Sequence, residues 1–141
     1  MMKYKNPNLP VEERVEDLLS RMTIDDKIDQ MVFRNVRDLV DDVKNGVPLP
    51  VFSGVFGNLS RFEDLDVIDK MQDYYVNKTK LGIPVTMTYE SLHGLFDDRA
   101  TVFPQCAGLG GSFNRENIHK MAQFIGKECR AIGTRQVLAP N

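Results

Sequence analysis

The chain has 141 residues, of which 42% are hydrophobic and 27% charged, an ordinary globular composition that excludes disorder as the main state. A chain of this length buries about 68% of the surface its unfolded form exposes, enough for a core without metal or disulfide staples. The 18 Lys and Arg against 20 Asp and Glu leave a net charge of -2, which argues against a phosphate-backbone footprint and so against nucleic acid as a partner.

The two cysteines, Cys106 and Cys129, form no Cys-x-x-Cys pair, and with only 2 histidines no structural zinc ligand set stands out. Reduced thiols in a cytoplasmic compartment are the simplest account. The basic start around Lys3 and Lys5 has no apolar run behind it, so no secretory signal is expected in the chain as it stands. No stretch approaches the roughly 18 apolar residues of a membrane span.

In chain order, Val11, Val15, Leu18, Leu19 and Met22 form one apolar stripe and predict a helix over residues 10–22. Thr23 can cap the next helix, with Asp25 and Asp26 at the positive end of its dipole and Ile24, Ile28, Met31 and Val32 continuing it. Val36, Leu39, Val40 and Val43 form a further short stripe, stopped by Gly46, Pro48 and Pro50. Residues 51–57 are short, β-branched and aromatic, and predict a buried strand. A helix follows over 61–80, carried by Leu65, Ile68, Met71 and Tyr75, with Gly82 as the left-handed residue after it. Ile83 to Tyr89 predict a second strand, limited at its start by Pro84. Asn114 caps a long helix with Ile118, Met121, Ala122, Ile125, Cys129 and Ile132 on one face, closed by Gly133, and residues 136–139 begin a third strand.

Alternating strands and helices point to an α/β fold with about three parallel strands, since an antiparallel hairpin needs no 20-residue connection. This is either a small open sheet or the front of something longer, because a closed eight-stranded barrel takes about 250 residues.

Strand alternation places Val85, Met87 and Tyr89 on one face and Thr86, Thr88 and Glu90 on the other. Ligands of parallel α/β sheets bind at the carboxyl ends of strands, which makes Glu90 the first site candidate, against the plainer reading of a solvated strand-end acid. His93, beside Gly94 in the following turn, could donate to a ligand or tie down the loop; its position alone favours the loop.

Other motifs carry less. Glu90-Ser91-Leu92-His93 and Glu116-Asn117-Ile118-His119 both match Glu-x-x-His, but the first follows a strand, and Glu116 points away from its helix's apolar stripe. Gly108-Leu109-Gly110-Gly111 lacks the last glycine of a dinucleotide loop and reads as tight packing before a helix. Ser112 sits in no nucleophile elbow, and His119 reads as solvated. Asp97 and Asp98 read as a loop turn, since nothing in the sequence fixes their distance from Glu90.

Taken together, the run from Arg14 to Met31, Leu81-Gly82-Ile83-Pro84-Val85, Glu90-Ser91-Leu92-His93-Gly94 and Ala100-Thr101-Val102-Phe103-Pro104-Gln105 resemble glycoside hydrolase family 3, the β-glucosidase and β-xylosidase family. Gly126 to Glu128, Gly133 and Val137-Leu138-Ala139-Pro140-Asn141 extend the resemblance to the last residue. It implies that residues 1–141 are the N-terminal part of a (β/α)8 TIM barrel domain whose remainder, with a following domain, would be partners of this segment. It further implies retaining hydrolysis of a terminal β-linked glucose or xylose without a cofactor. Glu90 falls where the family has an acid that hydrogen-bonds the sugar in subsite -1, with His93 and Gly94 in its supporting loop. The family's nucleophile and acid/base lie later than these 141 residues, so no catalytic residue is assigned and the segment alone is expected to be inactive. A stand-alone α/β binding module is the rival expectation.

Overall fold

A computed structural model describes residues 2–50, 55–58 and 65–140. In chain order the elements are α1 (Val11–Arg21), α2 (Ile24–Asp29), β1 (Phe33–Asn35), α3 (Val40–Asn45), β2 (Val55–Asn58), α4 (Leu65–Lys78), β3 (Thr86–Glu90), α5 (Cys106–Gly111), α6 (Arg115–Ala131) and β4 (Gln136–Leu138). A single-turn 3-10 helix at Val36–Leu39 leads into α3, and another at Lys3–Lys5 precedes α1.

The caps follow the side-chain chemistry. The Thr23 hydroxyl accepts from the Asp26 N–H at 3.1 Å while the Asp26 carboxylate accepts from the Thr23 N–H at 2.8 Å, a reciprocal capping box. Those bonds hold the Asp26 carboxyl below its usual range. Asn114 caps α6 by accepting from the Asn117 N–H at 3.0 Å.

Among the described residues the sheet has 4 strands in the order β1-β2-β3-β4, every neighbouring pair parallel. This corrects the expected three. β1 spans only Phe33–Asn35, too short to show a period of two, and Met31 and Val32 just before it sit at helical spacing from Ile28. The chain leaves α2 at Asp29 and turns through Met31 and Val32 instead of continuing the helix. Of the strand expected over 51–57, residues 51–54 lie outside the described residues, and 55–57 belong to β2. The first residues of the helix expected over 61–80, 61–64, also lie outside them.

β3 starts three residues later than its apolar run. Pro84 has no N–H to give, and the Gln72 side chain of α4 takes both backbone groups of Val85, donating to its carbonyl at 2.8 Å and accepting its N–H at 3.1 Å. α4 ends at Lys78, where the Thr79 hydroxyl takes the Tyr75 carbonyl, and Gly82 follows with φ of 60°. At that φ an added Cβ would also press on the Val76 carbonyl, so glycine is required there. The glycine-rich run at 108–111, expected as packing before a helix, does come just before α6 but is itself helical, the body of α5, whose turn forms as the Leu109 N–H reaches the Gln105 carbonyl.

Val85, just before β3, and Met87 and Tyr89 of β3 are buried in one cluster with Val36, Leu39 and Val43, with Val67, Ile68, Met71 and Tyr75 of α4, and with Ile125 and Cys129 of α6. The helices thus build one core on one face of the sheet. Among the described residues the opposite face is partly uncovered: Phe33, which shares the row of Val55 and Thr86, is 43% exposed, and Leu138, beside Glu90, is 37% exposed, while Thr88 between them is buried. α1 lies outside the core. Its stripe is amphipathic as expected, yet none of its residues is buried. The helix is held through Tyr4, whose hydroxyl donates to the Leu81 carbonyl at 2.6 Å and whose carbonyl accepts from Arg14 Nε at 3.0 Å. On α6 the predicted stripe holds at Ile125 and Cys129, while Ala122 is exposed.

Candidate functional site

Parallel pairing puts the carboxyl ends of all four strands at one end of the sheet, the end at which Glu90 closes β3. Its neighbour in the register is Leu138 of β4. One step back on the same face, the Thr88 hydroxyl donates to Gln136 Oε1 at 3.1 Å, and Thr88 is fully buried. On this face Thr88 is shielded, its partner Gln136 is exposed, and Glu90 is half-buried. Among the described residues the half-buried Glu90 carboxylate has no hydrogen bond or ion pair. A carboxylate in that position is an acceptor with four lone-pair sites to offer.

The loop from Ser91 to Gln105 is tied down at several points. Ser91 turns inward, with its hydroxyl 3.7 Å from the buried Cys129 Sγ. Burial pushes the Cys129 thiol up, so it stays protonated and unreactive. The Glu90 carbonyl accepts the Phe96 N–H at 3.0 Å, and Leu95 sinks into the core. His93 is linked twice to Phe103: its carbonyl accepts the Phe103 N–H at 2.7 Å, and its Nδ1 lies 3.1 Å from the Phe103 carbonyl. A carbonyl only accepts, so the proton is on Nδ1 and Nε2 is the acceptor of the neutral ring. Cys106 Sγ reaches the Leu92 carbonyl at 3.2 Å.

The two residues singled out from the sequence thus sit at one strand end, Glu90 open and His93 engaged with the loop. Asp97 is a turn residue as expected, and it pairs with Arg99 through two bonds of 2.8 and 3.0 Å. The Arg99 guanidinium holds its carboxyl below the usual range. Asp97 is thereby committed to the loop. Among the described residues no group of three His, Cys, Asp or Glu could hold a metal. Glu116 pairs with Lys120 at 2.7 Å on the exposed face of α6, and the exposed His119 accepts from Gln123 at 3.0 Å, so the second Glu-x-x-His lies on that outer face. Reading the sequence did not find Gln136 or Glu128. Strand register brings Gln136 to Thr88, and a 27-residue separation brings Glu128 to Thr101; neither leaves a local signal. No helix among the described residues is long and apolar enough to cross a membrane.

Residues 23–141 match the sequence model of the glycosyl hydrolase family 3 N terminal domain. A periplasmic β-glucosidase of Salmonella typhimurium is 30% identical over 126 residues, covering 89% of this chain and 16% of that protein. The β-glucosidase C of Emericella nidulans is 28% identical over 155 residues, with 97% of this chain and 25% of the relative covered. A β-xylosidase of Formosa agariphila is 26% identical over 141 residues, with 96% and 14% covered. The chain therefore spans a quarter or less of the length of these curated relatives.

Proposed function

The chain belongs to glycosyl hydrolase family 3, and on that footing we propose that it is the front segment of a retaining β-glycosidase acting on a terminal β-linked glucose or xylose. The observation that carries the reading is the Glu90 carboxylate: half-buried at the carboxyl end of a central parallel strand, unpartnered among the described residues, and backed by a braced loop. The strand order supports placing the segment in a (β/α)8 barrel. Four parallel strands in sequential order with helices packed on one face form a singly wound arc, whereas a doubly wound sheet would reverse its order partway. The open face then becomes barrel interior, and residues 1–141 the start of that domain.

In this reading Glu90 recognises substrate by accepting two sugar hydroxyls at once. His93 fixes the loop through Phe103. Bond cleavage needs two carboxyl groups about 5 to 5.5 Å apart across the glycosidic bond, and both are assigned to chain beyond residue 141.

Titration of the isotopically labelled chain with D-glucose and D-xylose, followed by amide NMR, tests this. Shifts are expected to cluster at Glu90 to His93 and at Thr88 and Gln136. The substitution Glu90→Gln should weaken binding about tenfold or more, the worth of a hydrogen bond to a charged group. Equal shifts in the variant, or shifts scattered over the helices, would refute the assignment.

A further inference from the structure

We infer that Glu128 is a positioning residue: it staples the loop after β3 so that Glu90 and His93 are held facing a ligand, an inference that rests on the sugar-binding reading of Glu90 above. Glu128 lies on α6, remote in sequence from that loop, and it takes both donors of Thr101. The Thr101 hydroxyl donates to Glu128 Oε1 at 2.7 Å, and the Thr101 N–H donates to the same oxygen at 3.2 Å.

The next residue of the helix makes the other attachment. Cys129 Sγ meets the Ser91 hydroxyl, immediately after Glu90. Two consecutive residues of α6 therefore hold the loop at its first residue and again at Thr101. Between those points the loop doubles back on itself. Gly94 has φ of 125° and packs so closely on the Thr101 carbonyl that no Cβ could be placed there. His93 is joined to Phe103 by two hydrogen bonds. Fixing Thr101 thus fixes the surface that Gly94 rests on and the strand of loop that His93 holds. Thr101 itself is exposed, but Glu128 is half-buried, and it takes the hydroxyl and a backbone N–H together, an N–H that has no other partner in the loop's own turns.

The test compares Glu128→Ala, Glu128→Gln and Thr101→Val in the full 141-residue chain, reading amide exchange, the His93 imidazole nitrogen signals, the melting temperature and D-glucose affinity. In Glu128→Ala, exchange at Thr101 and Phe103 should quicken about tenfold, the His93 Nδ1 signal should move toward that of a solvated ring, and glucose should bind several-fold more weakly. Glu128→Gln should restore most of this, because its Oε1 can accept both Thr101 donors. Thr101→Val keeps the N–H and loses the hydroxyl, so it should fall between, and it serves if Glu128→Ala does not fold. Unchanged loop exchange in Glu128→Ala would overturn the inference. So would a uniform rise in exchange over the whole chain with an equally lowered melting temperature, the mark of a merely structural role. A loosened loop with glucose binding indifferent to Glu90→Gln would support the staple and overturn the sugar reading instead.

Discussion

Glu90 stands out as a residue because of what surrounds it. Its neighbours in the loop have their polar groups engaged: Asp97 with Arg99, His93 with Phe103, and Thr101 with Glu128 of α6. Gly94 shows how tightly that arrangement is drawn. Its φ of 125° is one L side chains rarely adopt, and the Thr101 carbonyl fills the space a side chain would need. Gly94→Ala should therefore cost about 1–3 kcal/mol, read as a lowered denaturant midpoint with an unchanged slope. An alanine variant as stable as the parent would show that the loop is free to rearrange. Tyr75 makes a second point at this scale. Its ring is fully buried, and burial pushes its phenol up to about 12. An unfolded tyrosine ionises near pH 10, so the stability this group supplies is complete below about 10 and is lost as the pH rises from there towards 12. In an ultraviolet titration the Tyr75 phenol should resist ionisation until the chain unfolds, and Tyr75→Phe should diminish that late step. Four tyrosines titrating together near the ordinary value would contradict the buried placement.

At the scale of elements, legibility in the sequence followed length. The helices α1, α4 and α6 are long enough to repeat an apolar stripe, and the caps at Thr23 and Asn114 are local chemistry, so both could be read directly. β1 could not, because three residues carry no period and its neighbours fit a helix. The start of β3 was hidden for another reason: the Gln72 side chain that takes the Val85 backbone comes from α4, 13 residues away. Glu90 was legible because alternation along one strand needs only that strand, whereas Glu128 depends on how α6 lies against the loop. A stripe also does not reveal whether it is covered. Leu19 of α1 is 45% exposed, while Met71 of α4 is fully buried. Leu19→Ser should change stability by no more than about 0.5 kcal/mol. Met71→Ala should cost about 2–5 kcal/mol through the cavity it leaves among α4, β3 and α6. Urea unfolding of the two variants side by side checks the contrast, and comparable losses would mean that α1 is packed.

The whole molecule shows an imbalance that its parts do not. Helices cover one face of the sheet, and the other presents Phe33, Leu138 and the Thr86 row with nothing described upon it. Among the described residues β1 and β4 form the two edges, each paired on one side only. Short parallel edge strands with unpaired N–H and C=O groups are templates for further pairing, and barrels remove such edges by closing. Val11, Val15, Leu19, Ile24, Ile28 and Met31 add a run of exposed apolar side chains along α1, α2 and the turn that follows. Charge offers little protection, since the net charge is only -2. The 141-residue chain by itself should therefore associate as its concentration rises. Sedimentation velocity over a concentration series should show the average mass climbing, and moderate urea should shift it back before the helical signal is lost. A monomer at every concentration, with a sharp and fully reversible melt, would mean that the open face and edges are satisfied within the chain. The barrel arc proposed for this segment would then lose its support, because an arc must leave its interior and its edges unfilled.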